Sequence, residues 1–334
     1  MELGLDKTID MLDLSTVYGG LELKSPLIVS SSGLSQSVDR IRKMEKAGAG
    51  AVVLKSLFEE QIMHETGAMD AGDYPGAGDY LAAYARDNSL GEYLDHIKAA
   101  KDVVNMPVIA SINCVKGDEW VQFARKIEEA GADALELNIY YIPSSRDKDP
   151  RDYEKAYLEL LEKVKKETSL PLMVKLGNGF TSIPWMVDQI YRRGAASVVL
   201  FNRFYAPDID VDKLEFTSSE VLSSAADLRL SLRWTGIVSS MVKEIDLASS
   251  TGVHSGMAAV KQILAGATAV QLCSVLYRNG IDYLRDMLTE MKKWMEKNGH
   301  ETLSDFRGKL DYSSLQDPSV YERAQFIKYF SKMH

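Results

Sequence analysis

At 334 residues, 46% of them hydrophobic, the chain can bury a large core, either as one barrel-sized domain or as two smaller ones. A formal charge of -9 and a pI near 5.2 exclude nucleic acid as the main partner, because phosphate binding needs a basic face. The two cysteines, Cys114 and Cys273, stand far apart without CxxC spacing, so neither a disulfide framework, nor an iron-sulfur cluster held by this chain, nor another metal site is expected.

The opening segment MELGLDKTIDMLDLSTVYGG lacks a basic stretch followed by an apolar run, and no window approaches the roughly 18 apolar residues that cross a bilayer. A cytoplasmic protein without membrane contact is expected. From residue 26 onward, short β-rich runs alternate with longer segments of helical period, the pattern of a parallel sheet covered by helices. The strands fall at 26–32, 51–56, 107–113, 134–139, 171–176, 197–202, 246–251 and 269–274. Helices are expected at 37–47, 89–104, 119–130, 152–168, 183–193, in a stretch ending near 245, and at 257–265 and 281–297. Eight β/α units in about 270 residues predict an α/β fold, a (β/α)8 TIM barrel. The segments KAGAGAVVL, EAGADALEL, RRGAASVVL and LAGATAVQL place a glycine where each helix ends, which suits a left-handed cap. The long loops after strands 2 and 6, residues 57–88 and 203 to about 230, lie at the end where barrels carry their active sites. The tail past the eighth helix is expected to be a short helix covering the barrel or a partner subunit.

The strand ends collect residues that a simple core would not choose. Strand 1 ends in Ser30-Ser31-Ser32-Gly33, strand 2 in Lys55-Ser56, strand 3 in Asn113, strand 4 in Asn138, strand 5 in Lys175 and strand 6 in Asn202-Arg203. Lys55 and Lys175 sit inside apolar strands, where an ammonium needs an anionic or strongly polar partner. That partner is either a ligand or a carboxylate such as Glu136 across the barrel mouth. Asn138 either faces a ligand or ties down its own loop. The serine- and glycine-rich ends of strands 7 and 8, including Gly252, Cys273 and Ser274, suit a phosphate cradle or ordinary helix caps.

On DLSTVYGGLELKSPLIVSSSG, VVLKS, GADALELN, PLMVKL, TGVHSGMAAVKQILAGATAVQLCSVLY and TLSDFRGKL, the chain resembles the dihydroorotate dehydrogenases, FMN-bearing (β/α)8 barrels, over residues 13 to 310. The resemblance implies one FMN-binding barrel domain over 1–334, with a tail at 311–334. It places Ser32, Gly33, Lys55 and Ser56 against the flavin, and Asn138 and Asn202 on flavin or substrate. Lys175 stands near the pyrimidine edge of the ring, where a fixed positive charge stabilises the reduced form, and Gly252, Cys273 and Ser274 hold the phosphate. It also implies a homodimer and leaves room for an iron-sulfur electron-transfer subunit.

Four departures stand beside it. The family's proton-removing Cys or Ser, in ELNxSCPN, is here Tyr141, a poor base near neutral pH although it can donate a proton in the reductive direction. The NSMGLPN-type substrate loop has no counterpart after strand 2. SSAADLRLSLRW replaces the glycine-rich segment before helix 6, and the paired glycines after strand 7 are reduced to Thr251-Gly252. Tyr140, Tyr141, Cys114 and His64 are candidate substitutes for the base, Tyr140 also contacts substrate, and Arg233 is a candidate anion clamp. With Lys55, Lys175 and Tyr141 as the catalytic set, the expectation is an FMN oxidoreductase acting on a small cyclic amide or acid, not necessarily dihydroorotate. A genuine dihydroorotate dehydrogenase with a replaced base and a non-catalytic flavin-binding module are the alternatives. A lysine Schiff-base aldolase is disfavoured by the TLSDFRGKL segment.

Overall fold

The computed structural model describes residues 12–58, 77–113, 119–139, 141–203, 207–218 and 220–322. Eight parallel strands close into a barrel: β3 (Leu27–Val29), β4 (Ala51–Val53), β6 (Val108–Asn113), β7 (Ala134–Asn138), β8 (Leu172–Leu176), β9 (Ser197–Leu200), β12 (Asp246–Ser250) and β13 (Ala269–Leu272). Closure comes from the pairing of β4 with β6, with Val52 opposite Val108. Each strand is apolar on both faces because one face meets the barrel interior and the other the helices, and β3, β4 and β9 are buried throughout.

Two apolar layers result. Inside the barrel, Ile28, Val53, Ile109, Met173 and Val199 pack together, and an antiparallel hairpin, β1 (Thr16–Tyr18) with β2 (Leu21–Leu23), plugs the amino end with Tyr18 and Leu23. Gly19 fastens the plug by donating its N–H to Asp246 Oδ2 at 2.8 Å. Outside, the helices bury Ile41, Met44, Ile97, Leu161, Ile190, Ile263 and Met291 against the strands. Four helix-to-strand turns pass through Gly48, Gly131, Gly194 and Gly266, at φ between +84° and +111°, as the sequence predicts. At Gly266 a Cβ would also lie 2.3 Å from Ser239 Oγ.

The two long connections differ from plain loops. After β4, the pair Leu57–Phe58 (β5) adds to β6, and the next helix begins at Ala77 rather than 89, running to Lys101. The Ala- and Leu-bearing stretch before residue 89 supports helix despite its Asp and Asn. After β9, Pro207–Asp210 (β10) and Glu215–Ser218 (β11) form an exposed antiparallel hairpin. A capping box on Ser224 and Asp227 then opens the short turn Ala225–Asp227, which leads into the helix Leu228–Met241. The TLSDFRGKL segment closes the bottom of another helix, Gly256–Leu264: the N–H groups of Gly308 and Leu310 donate to the carbonyls of Ile263 and Leu264 at 3.0 and 2.9 Å. Phe306, fully buried, packs on Trp294 and His300. The described part of the tail folds back on the helix Leu228–Met241, where the Tyr312 N–H donates to Gly236 O at 2.9 Å.

Candidate active site

At the carboxyl ends of the strands lies a cavity of about 630 Å³, within the range of roughly 300 to 1,000 Å³ typical of cofactor sites. The stretch from Ser30 to Gly33, with Lys55 and Ser56, forms one wall; Asn113, Asn138, Lys175 and Gln271 form the floor. Asn202, Arg203, the loop Ser250 to Val253, and Cys273, Ser274 and Tyr277 complete it. Every residue expected from the resemblance to hold a cofactor is therefore on this one surface.

The serine wall is internally tied. Ser56 Oγ lies 3.0 Å from Ser31 Oγ and 2.7 Å from Ser111 Oγ, and the Ser56 N–H donates to Ser31 Oγ at 2.9 Å. Tyr93, on the long second helix, receives the Ser111 N–H at 2.7 Å, and burial pushes its hydroxyl far above the usual tyrosine range. Ser32 caps the short turn Gly33–Gln36 by accepting the Leu34 N–H.

The two lysines have different surroundings. Lys175 Nζ donates to Ser30 Oγ at 3.0 Å and Gln271 Oε1 at 2.9 Å, and Glu136 Oε1 lies 3.8 Å away. Gln271 Nε2 in turn donates to Glu136 Oε2 at 2.6 Å. The carboxylate alternative is thus realised for Lys175, but in the strand layer beneath the cavity, which stays open above it. Lys55 is half-buried and has no hydrogen-bond or ion-pair partner among the described residues. Buried and without partners are Asn113 Oδ1 and Arg203 Nε. Burial also pushes the Cys273 thiol up, against the pull of Lys175, so it stays protonated near neutral pH.

On the opposite side, Asn202 Nδ2 donates to Asn138 Oδ1 at 2.6 Å, which leaves the other polar atoms of two carboxamides for a ligand. Arg203, rather than Arg233, is the arginine at the cavity. Its Nη1 donates to Asp227 Oδ2 at 3.0 Å and its Nη2 to the Glu220 carbonyl at 2.8 Å, tying the rewritten loop to the end of β9. Arg233 is exposed on the helix Leu228–Met241 and does not line the cavity. Thr251 keeps the left-handed conformation its glycine counterpart would adopt, at φ +78°, which costs roughly 1–2 kcal/mol for a side-chain-bearing residue. Gly252, at φ +79°, cannot be replaced the same way, because a Cβ would sit 2.1 Å from the Leu228 backbone nitrogen. Ser223 joins the loops: its N–H donates to Ser274 Oγ at 2.9 Å, and its Oγ lies 3.1 Å from His254 Nε2.

Tyr141 is not brought to the cavity. Its ring meets Tyr157 edge-on at 5.3 Å, its N–H donates to Tyr157 Oη at 3.3 Å, and it packs at the edge of the helix-side core. Tyr140, Cys114 and His64 lie outside the described residues. Gln271 and Tyr277 were not singled out by the sequence, although Gln271 carries the same signal as the lysines, a polar residue inside the apolar strand AVQLCS.

The dihydroorotate dehydrogenase family model matches residues 13–295, most of the chain. The chain belongs to the dihydroorotate dehydrogenase family. It is similar to the catalytic subunit of dihydroorotate dehydrogenase B (NAD(+)) from Thermoplasma volcanium, 24% identical over 315 residues, covering 89% of this chain and 98% of that one. The catalytic subunit of the same name from Thermoplasma acidophilum is 26% identical over 310 residues, with 89% and 99% covered. That from Methanocaldococcus jannaschii is 24% identical over 303 residues, with 88% and 97% covered. Dihydroorotate dehydrogenases are FMN-dependent dehydrogenases acting on CH–CH bonds, and this member is an enzyme of that type. The cavity fits the cofactor. Lys55 and the buried carbonyl oxygen of Asn113, neither with a partner among the described residues, suit an anionic molecule with a ring N–H. Among the described residues no helix is long and apolar enough to cross a membrane, and no cluster of side chains could hold a metal ion.

Proposed function

We propose that this dihydroorotate dehydrogenase-like enzyme exchanges reducing equivalents between FMN and a small cyclic amide or acid other than dihydroorotate. The observation that carries this reading is the split between the two sides of the cavity. Lys55, Lys175 and the serines line the cavity, while the side chain at the family's base position, Tyr141, packs on Tyr157 instead of lining it.

In this reading Ser32, Gly33, Lys55 and Ser56 hold the ring and its chain, and Gly252, Cys273 and Ser274 hold the phosphate. When bound, FMN supplies a ring that takes up or returns two electrons with a proton. Lys175 directs its remaining N–H toward the ring's polar edge, where fixed positive charge favours the reduced form. Asn138 and Asn202, joined by their hydrogen bond, present a shared pattern of donors and acceptors to the substrate's amide or carboxylate. Lys55, without a partner among the described residues, draws in an anionic substrate or cofactor group.

A genuine dihydroorotate dehydrogenase is the second reading, favoured by the family match over residues 13–295 and by the names of the relatives. Those relatives are named catalytic subunits, which supports a separate electron-transfer subunit for this chain. An iron-sulfur centre in that subunit, and a cytoplasmic homodimer of one-domain barrels, belong to the same proposal and rest on the family resemblance alone. Anaerobic mixing of the FMN-loaded protein with dihydroorotate and with a panel of dihydropyrimidines and related cyclic amides tests the substrate. Bleaching by a panel compound and not by dihydroorotate is expected. Rapid bleaching by dihydroorotate establishes the second reading instead, and a protein that neither carries nor takes up flavin sinks both.

A further inference from the structure

Beneath the cavity floor, a chain of buried groups runs from Glu136 on β7 through Gln271 on β13 to Lys175 on β8. Glu136 is wholly buried, and the Lys175 side chain is 5% exposed. The Gln271 carboxamide is fixed in orientation because its Nε2 donates to Glu136 at 2.6 Å while its Oε1 receives Lys175 Nζ at 2.9 Å and Ser30 Oγ at 3.1 Å. An ammonium has three N–H groups, and two are used here, on Ser30 and Gln271. Glu136 Oε1 stands 3.8 Å from Nζ and accepts no hydrogen bond. The carboxylate therefore compensates Lys175 by charge, while the neutral acceptors hold the ammonium up at the cavity floor with one N–H to spare.

We infer that Glu136, relayed by Gln271, is a positioning residue that offsets the Lys175 charge and so sets how much more tightly the site holds reduced than oxidised FMN. This rests on the FMN reading above. In a site this buried, little solvent screens one charge from the next. Negative charge on a ring bound above Lys175 would be attracted by the ammonium, and the carboxylate behind Lys175 would weaken that pull. Polarisation through Gln271 links the two. A buried ion pair with a purely architectural role would hold the strands together equally well, but it would leave the cofactor's potential alone.

The test is the midpoint potential of bound FMN, together with its dissociation constants in both redox states, in wild type and Glu136→Gln. The isosteric amide keeps an acceptor for Gln271 and removes the charge. Reduced FMN should gain at least about tenfold in affinity relative to oxidised FMN, equivalent to a midpoint about 30 mV more positive for a two-electron couple. In a Lys175→Met background, the same substitution should change that ratio less than about threefold, since the effect passes through Lys175. A midpoint that stays or falls in Glu136→Gln overturns the inference, and so does an equal rise without Lys175. If Glu136→Gln does not fold, Glu136→Asp decides it: withdrawing the carboxylate from Gln271 should raise the midpoint by a smaller step, and an unchanged or lower midpoint overturns the inference. Wild-type protein that binds no FMN refutes the cofactor assignment itself, a separate outcome.

Discussion

The lysine-and-serine side and the asparagine-and-arginine side of the cavity are held by different kinds of contact. On the first, Lys175, Gln271 and Glu136 bond strand to strand across the barrel, and Ser30, Ser31 and Ser56, just past the strand ends, tie into them and into Ser111. On the second, Asn138 and Asn202 touch each other, while Arg203 leans on a loop through Asp227 and the Glu220 carbonyl. Groups on barrel strands cannot shift without disturbing their neighbours, whereas loop residues can be exchanged at small cost to the core. Loop contacts such as those of Arg203 can therefore change while the strand network beneath them stays.

The sharpest way to break that contrast is Lys175→Met. It leaves Glu136 as a lone buried carboxylate, and a loss of roughly 3–5 kcal/mol in folding stability is expected, read by denaturant unfolding, with FMN bound at least about tenfold more weakly. A variant as stable as wild type would mean the strand-to-strand network is not what fixes this side. Asn202→Ala should do the reverse. It removes one carboxamide from the loop-facing side, so FMN affinity should stay within about threefold, while flavin reduction by the substrate found in the screen should slow at least about tenfold. Equal losses in both would erase the division. The smallest effect belongs to Tyr141→Phe. Because the ring packs on Tyr157 away from the cavity, the rate of flavin reduction should change less than about threefold, and a hundredfold loss would restore this tyrosine to the chemistry.

Much of the barrel was legible in the chain. Runs such as PLIVSSS and PLMVKL read as strands because both faces are buried, and the glycine before each following strand marks the helix end. Lys55 and Lys175 stood out because an ammonium in an apolar strand demands an explanation. Arg203 and Arg233 show where this kind of reading stops. In the sequence Arg233 looks like an anion clamp and Arg203 only like a polar strand end, and only the path of the backbone puts Arg203 at the cavity and Arg233 in solvent. The early start of the helix Ala77–Lys101 was missed for a related reason: its first turns carry the Asp and Asn of a loop among good helix formers.

By itself, the sequence determined the eightfold alternation of strand and helix and the polar character of the strand ends, because burial on both faces and helix capping are set by neighbouring residues. Tertiary structure alone decided which of those polar groups meet. Gln271 and Glu136 are 135 positions apart and Lys175 and Gln271 are 96 apart, and they join only because the sheet closes on itself. Tyr141 follows Asn138 by three positions yet turns to the helix layer, because its backbone N–H and its ring both find Tyr157 there. Local preference fixes elements, and closure of the barrel fixes which side chains become a site.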